Sequence, residues 1–175
     1  MPDAKTPILR DPAAPVSDAD DSFLWSDARL LGYQPMDDVH KEFYDVTFRL
    51  LVCTEETAAD ALEAFAEHAQ SHFDQEDEWM RATDFPARDC HIEEHAAVLN
   101  GVREARELLS RGIGGAAMLQ DFGAYLFSWF PGHADYLDSA LAAWMTKIKM
   151  GGKPVVLRRN MNLHNEPAPT RFPME

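Results

Sequence analysis

The sequence predicts an all-α fold, an antiparallel up-down-up-down four-helix bundle with an N-terminal arm and a C-terminal extension. Three observations carry this expectation. Apolar residues recur every three or four positions in four separate segments. Short connections containing Thr, Pro and Gly divide those segments. Strand patterning is nearly absent, the exception being Pro154-Val155-Val156-Leu157. With 175 residues, 46% of them hydrophobic, the chain suffices for one domain with a full core and is short for two.

Residues 1–24 are rich in Pro, Asp and Ala without periodicity, and a loosely ordered arm is expected there. The bundle is expected over 25–150. Its first helix should run from about Asp37 to Cys53, with Met36, His40, Phe43, Thr47 and Leu50 along one face. The second should open at the capping signature Thr54-Glu55-Glu56-Thr57 and reach about Ala82, with Leu62, Phe65, Ala69, His72, Glu76 and Met80 inward. Pro86 in Thr83-Asp84-Phe85-Pro86 then breaks the helix. A third is expected from about Ala87 to Ser110, carrying His91, His95, Val98, Val102, Ala105 and Leu109 inward. After the turn at Gly112, Gly114 and Gly115, the fourth should span about Ala117 to Lys149. Its stripe is Phe122, Leu126, Trp129, His133, Leu137, Leu141, Trp144 and Ile148. Residues 151–175 are Pro-rich, mildly basic and aperiodic, and form the extension.

Charge narrows the function. Sixteen basic against 30 acidic residues give a formal charge of −14, which repels phosphate backbones and anionic membranes, so neither nucleic acid nor membrane is expected as a partner. No apolar run approaches the roughly 18 residues of a membrane span, and the first residues lack the apolar core of a signal peptide. Two cysteines, Cys53 and Cys90, make no disulfide framework, so a cytoplasmic location is expected. Nothing in the charge opposes cations.

Every inward stripe is interrupted by groups that should not be buried alone: His40; His72 with Glu76; His91 with His95; His133. Burying such groups without partners costs on the order of 1–3 kcal/mol each. A metal satisfies them together, since neutral imidazole and carboxylate both donate to it. The HxxxE and HxxxH pairs are i, i+4, so each pair projects from one face of its helix. A single inward histidine is ordinarily a core residue bonded to a backbone carbonyl, and with 7 His in the chain one spaced pair arises easily by chance. Inward histidines on all four helices do not.

These motifs resemble the hemerythrin family in its bacterial single-domain form. The resemblance rests on Met36-Asp37-Asp38-Val39-His40, on His72-Phe73-Asp74-Gln75-Glu76, on His91-Ile92-Glu93-Glu94-His95, and on Trp129-Phe130-Pro131-Gly132-His133 ending in Asp138. Trp79-Met80 with Phe85-Pro86 adds to it, and the likeness extends from about Trp25 to Ile148. Departures are Pro131 and Gly132 inside the fourth helix, Ala134 where a larger apolar residue is usual, and the tail from Gly151. The resemblance implies two non-haem Fe ions bridged by oxo or hydroxo, with O2 as ligand. It assigns His91, His95 and His133 to one iron, His40 and His72 to the other, and Glu76 and Asp138 to both. Three histidines and three bridges saturate one octahedral iron, whereas two histidines leave the second a position for O2. Nitrogen-rich ligation also differs from the Glu and ExxH sets of diiron oxidases.

The implied function is therefore reversible O2 binding for storage, delivery or sensing, without catalysis. The alternatives are a diiron oxidoreductase handling peroxide or nitric oxide, and a signalling module whose iron state alters partner binding. No protein partner is legible. Phe43, Phe73 and Trp129 are candidates for the O2 pocket, while Trp144 reads as plain core. His68, four residues before His72, reads as partly exposed or as a neighbour of the ligands. Cys90 reads as a small packing residue off the stripe, the acidic run Asp74–Glu78 as a solvated face except for Glu76, and His164 and Arg158-Arg159 as tail.

The spacing of His133 and Asp138 poses one further expectation. Five residues rotate the two by about 140° on a regular helix. Pro131 cannot bond the carbonyl of Phe127. A widened, π-type turn between Phe127 and Asp138 is expected to bring both residues to one centre.

Overall fold

The computed structural model describes residues 23–151. The strand-like run at 154–157, Arg158-Arg159, His164 and most of the N-terminal arm lie outside the described residues. Four helical rods form the bundle: α1 (Gln34–Leu51), α2 (Ala58–Ala82), α3 (Arg88–Ser110), and a last rod in which α4 (Ala116–His133) continues through a π segment (Ala134–Asp138) into α5 (Ser139–Lys149). Helix α1 packs on α2 and α4, and α2 packs on α3. No helix among the described residues is long and apolar enough to cross a membrane.

The helix ends differ from the sequence expectations for local reasons. Helix α1 begins three residues early, at Gln34, because Pro35 in its first turn has φ already set for a helix and no N–H to lose. The buried Asp37 carboxylate accepts the backbone N–H groups of Leu31 (2.7 Å) and Gly32 (3.1 Å), fixing how the chain enters α1. Thr54–Thr57 is a separate turn, closed by the Thr54 N–H donating to Thr57 Oγ1 at 2.9 Å, and α2 starts after it. Glu55, read from sequence as part of the α2 cap, instead accepts the Ala116 N–H at 3.0 Å and caps α4. It sits against Gly115, whose φ of 150° and lack of a side chain leave room for the carboxylate. Helix α2 ends with Asp84 at φ 50° and the Phe85 N–H bonded to the Met80 carbonyl, a six-residue reverse bond that satisfies a carbonyl of the last turn.

The core is divided. A large apolar cluster, including Phe43, Leu50, Leu62, Phe65, Val102, Leu119 and Leu126, fills one end of the bundle. There Gly123 lets α4 approach the α1 backbone, since a Cβ would lie 3.0 Å from the Leu51 nitrogen. A smaller cluster of Met36, Met80, Phe85, Leu141 and Ala142 closes the other end. The expected inward stripe of the last rod drifts. Ile148 is exposed, and Trp144 is half-buried, its indole N–H donating to Thr83 Oγ1 at 3.0 Å. Phe23, on the arm side of the expected boundary, packs edge-on against Phe127 at 4.8 Å.

Candidate metal centre

Seven buried polar side chains meet among the helices. Helix α1 supplies His40, α2 supplies His72 and Glu76, α3 supplies His91 and His95, and the last rod supplies His133 and Asp138. Their ligand atoms form two groups, Glu76 with His91, His95, His133 and Asp138, and Glu76 with His40 and His72. All seven residues singled out in the sequence therefore converge.

The last rod reaches the centre through the widened turn. The Ser139 N–H bonds the Ala134 carbonyl, an i to i+5 bond, and the π segment ends on Asp138. Thus His133 and Asp138, which a regular helix would splay apart, both face inward, with His133 Nε2 3.2 Å from Asp138 Oδ1.

The carboxylates lie between the histidine groups. Glu76 Oε1 stands 3.1 Å from His72 Nε2 and 3.7 Å from His40 Nε2, while its Oε2 lies 3.4 Å from both His91 and His95. Asp138 Oδ2 stands 3.2 Å from His40 Nε2, and its Oδ1 lies 3.0 Å from His91 Nε2. Each carboxylate offers one oxygen to each side. On the three-histidine side, Nε2 of His133 is 3.1 Å from that of His91 and 3.2 Å from that of His95. Two ligands held about 2.1 Å from one ion at right angles stand about 3.0 Å apart, so these spacings suit a shared ion.

Several of these atoms lack an aligned hydrogen-bond partner: His40 Nε2, Glu76 Oε2 and both Asp138 oxygens. Buried polar groups are rarely left so, and unpaired lone pairs facing a common point are what a metal would satisfy. The cluster can coordinate metal ions. Its proton affinities agree. Burial opposes charging His40 and His91, yet contacts with Asp138 and Glu76 outweigh it and push both up to about 9. Burial likewise opposes charging His95, and Asp77 and Glu76 together raise it. His133 is lowered by burial, with Asp138 resisting. Glu76 and Asp138 are held below the usual carboxylate range by the surrounding imidazoles despite burial. The site draws in positive charge.

The neighbours separate the two sides. Phe73 stacks on His95 at 4.1 Å between ring centres, and Trp129 lies 4.4 Å from His133 with its indole N–H donating to Glu94 at 2.9 Å. Both cover the three-histidine side, although Phe73 also touches His72 at 5.1 Å. Phe43 stacks on Phe130 at 4.1 Å, and this pair covers His40 and His72. Phe130 was not singled out in the sequence, which put Trp129 on the inward stripe. Asp77 was also missed. Its Oδ1 lies 3.0 Å from His95 Nδ1 and orients that ring from the second helix. The signal was its place beside Glu76, hidden by the acidic run around it.

His68 stays out of the cluster. Its ring packs 5.6 Å from that of His72, its Nδ1 is 3.6 Å from Glu42, and burial followed by the charges of His72 and His40 lowers it to about 4. Cys90 is exposed, whereas the sequence reading made it a small packing residue.

Comparison with known proteins agrees with this geometry. The model of the Hemerythrin HHE cation binding domain matches residues 31–145. A bacteriohemerythrin of Ralstonia nicotianae is 33% identical over 123 residues, covering 70% of this chain and 88% of that protein. No solved structure matches the chain.

Proposed function

The chain belongs to the hemerythrin family, and from that premise we propose that its centre holds two iron ions and binds O2 reversibly. His91, His95 and His133 would hold one iron, His40 and His72 the other, and Glu76 and Asp138 would span both. A bound diiron pair supplies two electrons to O2 and recovers them on release. The observation that carries the reading is the carboxylate geometry, in which Glu76 and Asp138 each turn one oxygen toward either histidine group.

The residues' tasks follow. Five imidazoles and two carboxylates give a nitrogen-rich set with little anionic charge, which favours carriage of O2 over its activation to high-valent oxidants. Phe43 and Phe130 keep bulk water from the two-histidine side, where the position for O2 is expected. Glu76 and Asp138 stay ionised and compensate the metal charge in a buried site. Residues 25–150 would form the working unit, with 1–24 as arm and 151–175 as extension.

Optical cycling tests the proposal. Reduced, iron-loaded protein exposed to air should develop a charge-transfer band that disappears on deoxygenation and returns on re-exposure. Rapid irreversible oxidation with turnover of added peroxide would favour a diiron oxidoreductase instead.

A further inference from the structure

The seven clustered residues are buried, so any ligand from solvent needs a way in. On the three-histidine side, Phe73 stacks flat on His95 and Trp129 leans over His133 at 31°. On the other side, a cleft of about 20 Å³ touches His40 itself. Its walls are Trp25, Arg29, Tyr44, Phe130, Ala134 and Asp135. Two of these, Trp25 and Arg29, belong to neither the bundle helices nor the residues matched by the family model.

They belong to a strap, residues 23–32, laid across the seam between α1 and the last rod. The strap is fixed at both ends. Phe23 meets Phe127 edge-on at one end, and at the other the Leu31 and Gly32 N–H groups donate to Asp37. Between these anchors Trp25 sits edge-on to Tyr44 at 5.8 Å, and the Arg29 guanidinium lies 4.8 Å over the same ring. Ser26, Asp27 and Ala28 are exposed, so a single layer of chain separates the cleft from solvent.

We propose that this strap-covered cleft is the passage by which small ligands reach the His40–His72 side, and that Trp25 and Ala134 set its width. Size supports the assignment. A volume of roughly 10–15 Å³ holds one water-sized molecule, so the cleft has room for one small ligand at a time. The helix also leaves room at this point. The cleft wall includes Pro131, Ala134 and Asp135, where the last rod widens into its π segment, and Ala134 presents only a methyl group. The residue at 134 and the strap thus act on access, whereas His40 and His72 act on binding.

The inference rests on the O2-binding proposal, and one experiment tells their failures apart. The probe is azide mixed with the oxidised, iron-loaded full chain, followed by stopped-flow absorbance of its ferric charge-transfer band. Trp25→Ala should raise the association and dissociation rates together by on the order of tenfold, at unchanged affinity and iron content. Ala134→Leu should lower both. A passage changes the two rates in parallel, whereas a residue that contacts the ligand changes affinity. A metal-free readout covers the same ground. In a Cys90→Ser background, an Ala134→Cys thiol should react with a small methanethiosulfonate faster once Trp25 is alanine. An azide band with rates within twofold of the parent chain in both variants, or a thiol indifferent to Trp25, overturns the passage alone. An iron-loaded chain with no azide band overturns the binding proposal and the passage with it.

Discussion

The two sides of the candidate metal centre share Glu76 and Asp138 but are finished differently. Three imidazoles converge on one side, where Phe73 covers His95 and Trp129 covers His133, and His95 is steadied further by Asp77. The other side has two imidazoles, an aromatic lid of Phe43 and Phe130, and the cleft at His40. The contrast separates holding from admitting. On the proposed reading, side chains stiffen the side whose coordination would be complete, and the side that would keep a position for a ligand retains a way to the surface.

The largest expected effect breaks the shared element. Glu76→Ala removes the carboxylate that faces both groups, and metal analysis should find both sites empty. His72→Ala should instead lose mainly the two-histidine metal and leave about one ion per chain. A wild-type chain carrying a single tightly held zinc would refute the two-sided picture altogether.

Metal removal comes next. Without metal the imidazoles and carboxylates face one another in a buried layer between the two apolar clusters, and the melting temperature should fall. The fall depends on pH. In the metal-free chain His40 and His91 are raised from 6.5 to about 9, so their contribution is fully present below pH 6.5 and is lost as pH rises through 9. Glu76 and Asp138 are lowered, so their contribution is present above the usual carboxylate range and is lost as pH falls. Metal-free stability should therefore peak at mildly acidic pH. Because metal replaces the protons on His40 and His91, the gain in melting temperature on metal loading should grow from pH 6.5 to 9. Calorimetry of both forms across that range checks the sign.

A smaller effect sharpens the difference between the sides. Asp77→Asn leaves every proposed ligand in place but weakens the partner of His95. Metal affinity on the three-histidine side should fall by roughly 10–100-fold, read by chelator competition, while the azide rates stay unchanged. The smallest is a control away from both sides. Asp84→Gly relieves a left-handed backbone at the end of α2 and should shift stability by only about 0.5 kcal/mol, without altering metal content.

The seven clustered residues were legible because most of them lie on a helical face whose period the neighbouring apolar residues reveal. His133 and Asp138 went further, since their five-residue spacing implied the π segment before any coordinates. What could not be read depended on a partner from elsewhere in the chain. Asp77 looks like one more acid on a solvated face until α3 brings His95 beside it. Glu55 carries a local capping signature but serves α4, 61 residues away. Trp129 was placed inward by regular periodicity, yet it is Phe130 that faces His40. The strap has no period at all, and its position comes from the Asp37 carboxylate and two aromatic contacts.

The π segment also acts as a phase shift. A residue beyond the regular helical count turns everything after it by about 100° relative to an unbroken rod. Leu141 and Ala142 enter the small apolar cluster from that shifted portion. Deleting one residue there, such as Tyr136, which is 80% exposed and contributes little packing, would let the rod close as a regular helix. Because the deletion removes the extra position itself, Leu141 would keep its direction toward its cluster, and Asp138, now four residues after His133 and about 40° around a regular helix, would still face the centre. The π segment therefore absorbs one position of chain while keeping both the aim of Asp138 and the seal at the far end of the bundle, whereas straightening the rod at its present length would lose both.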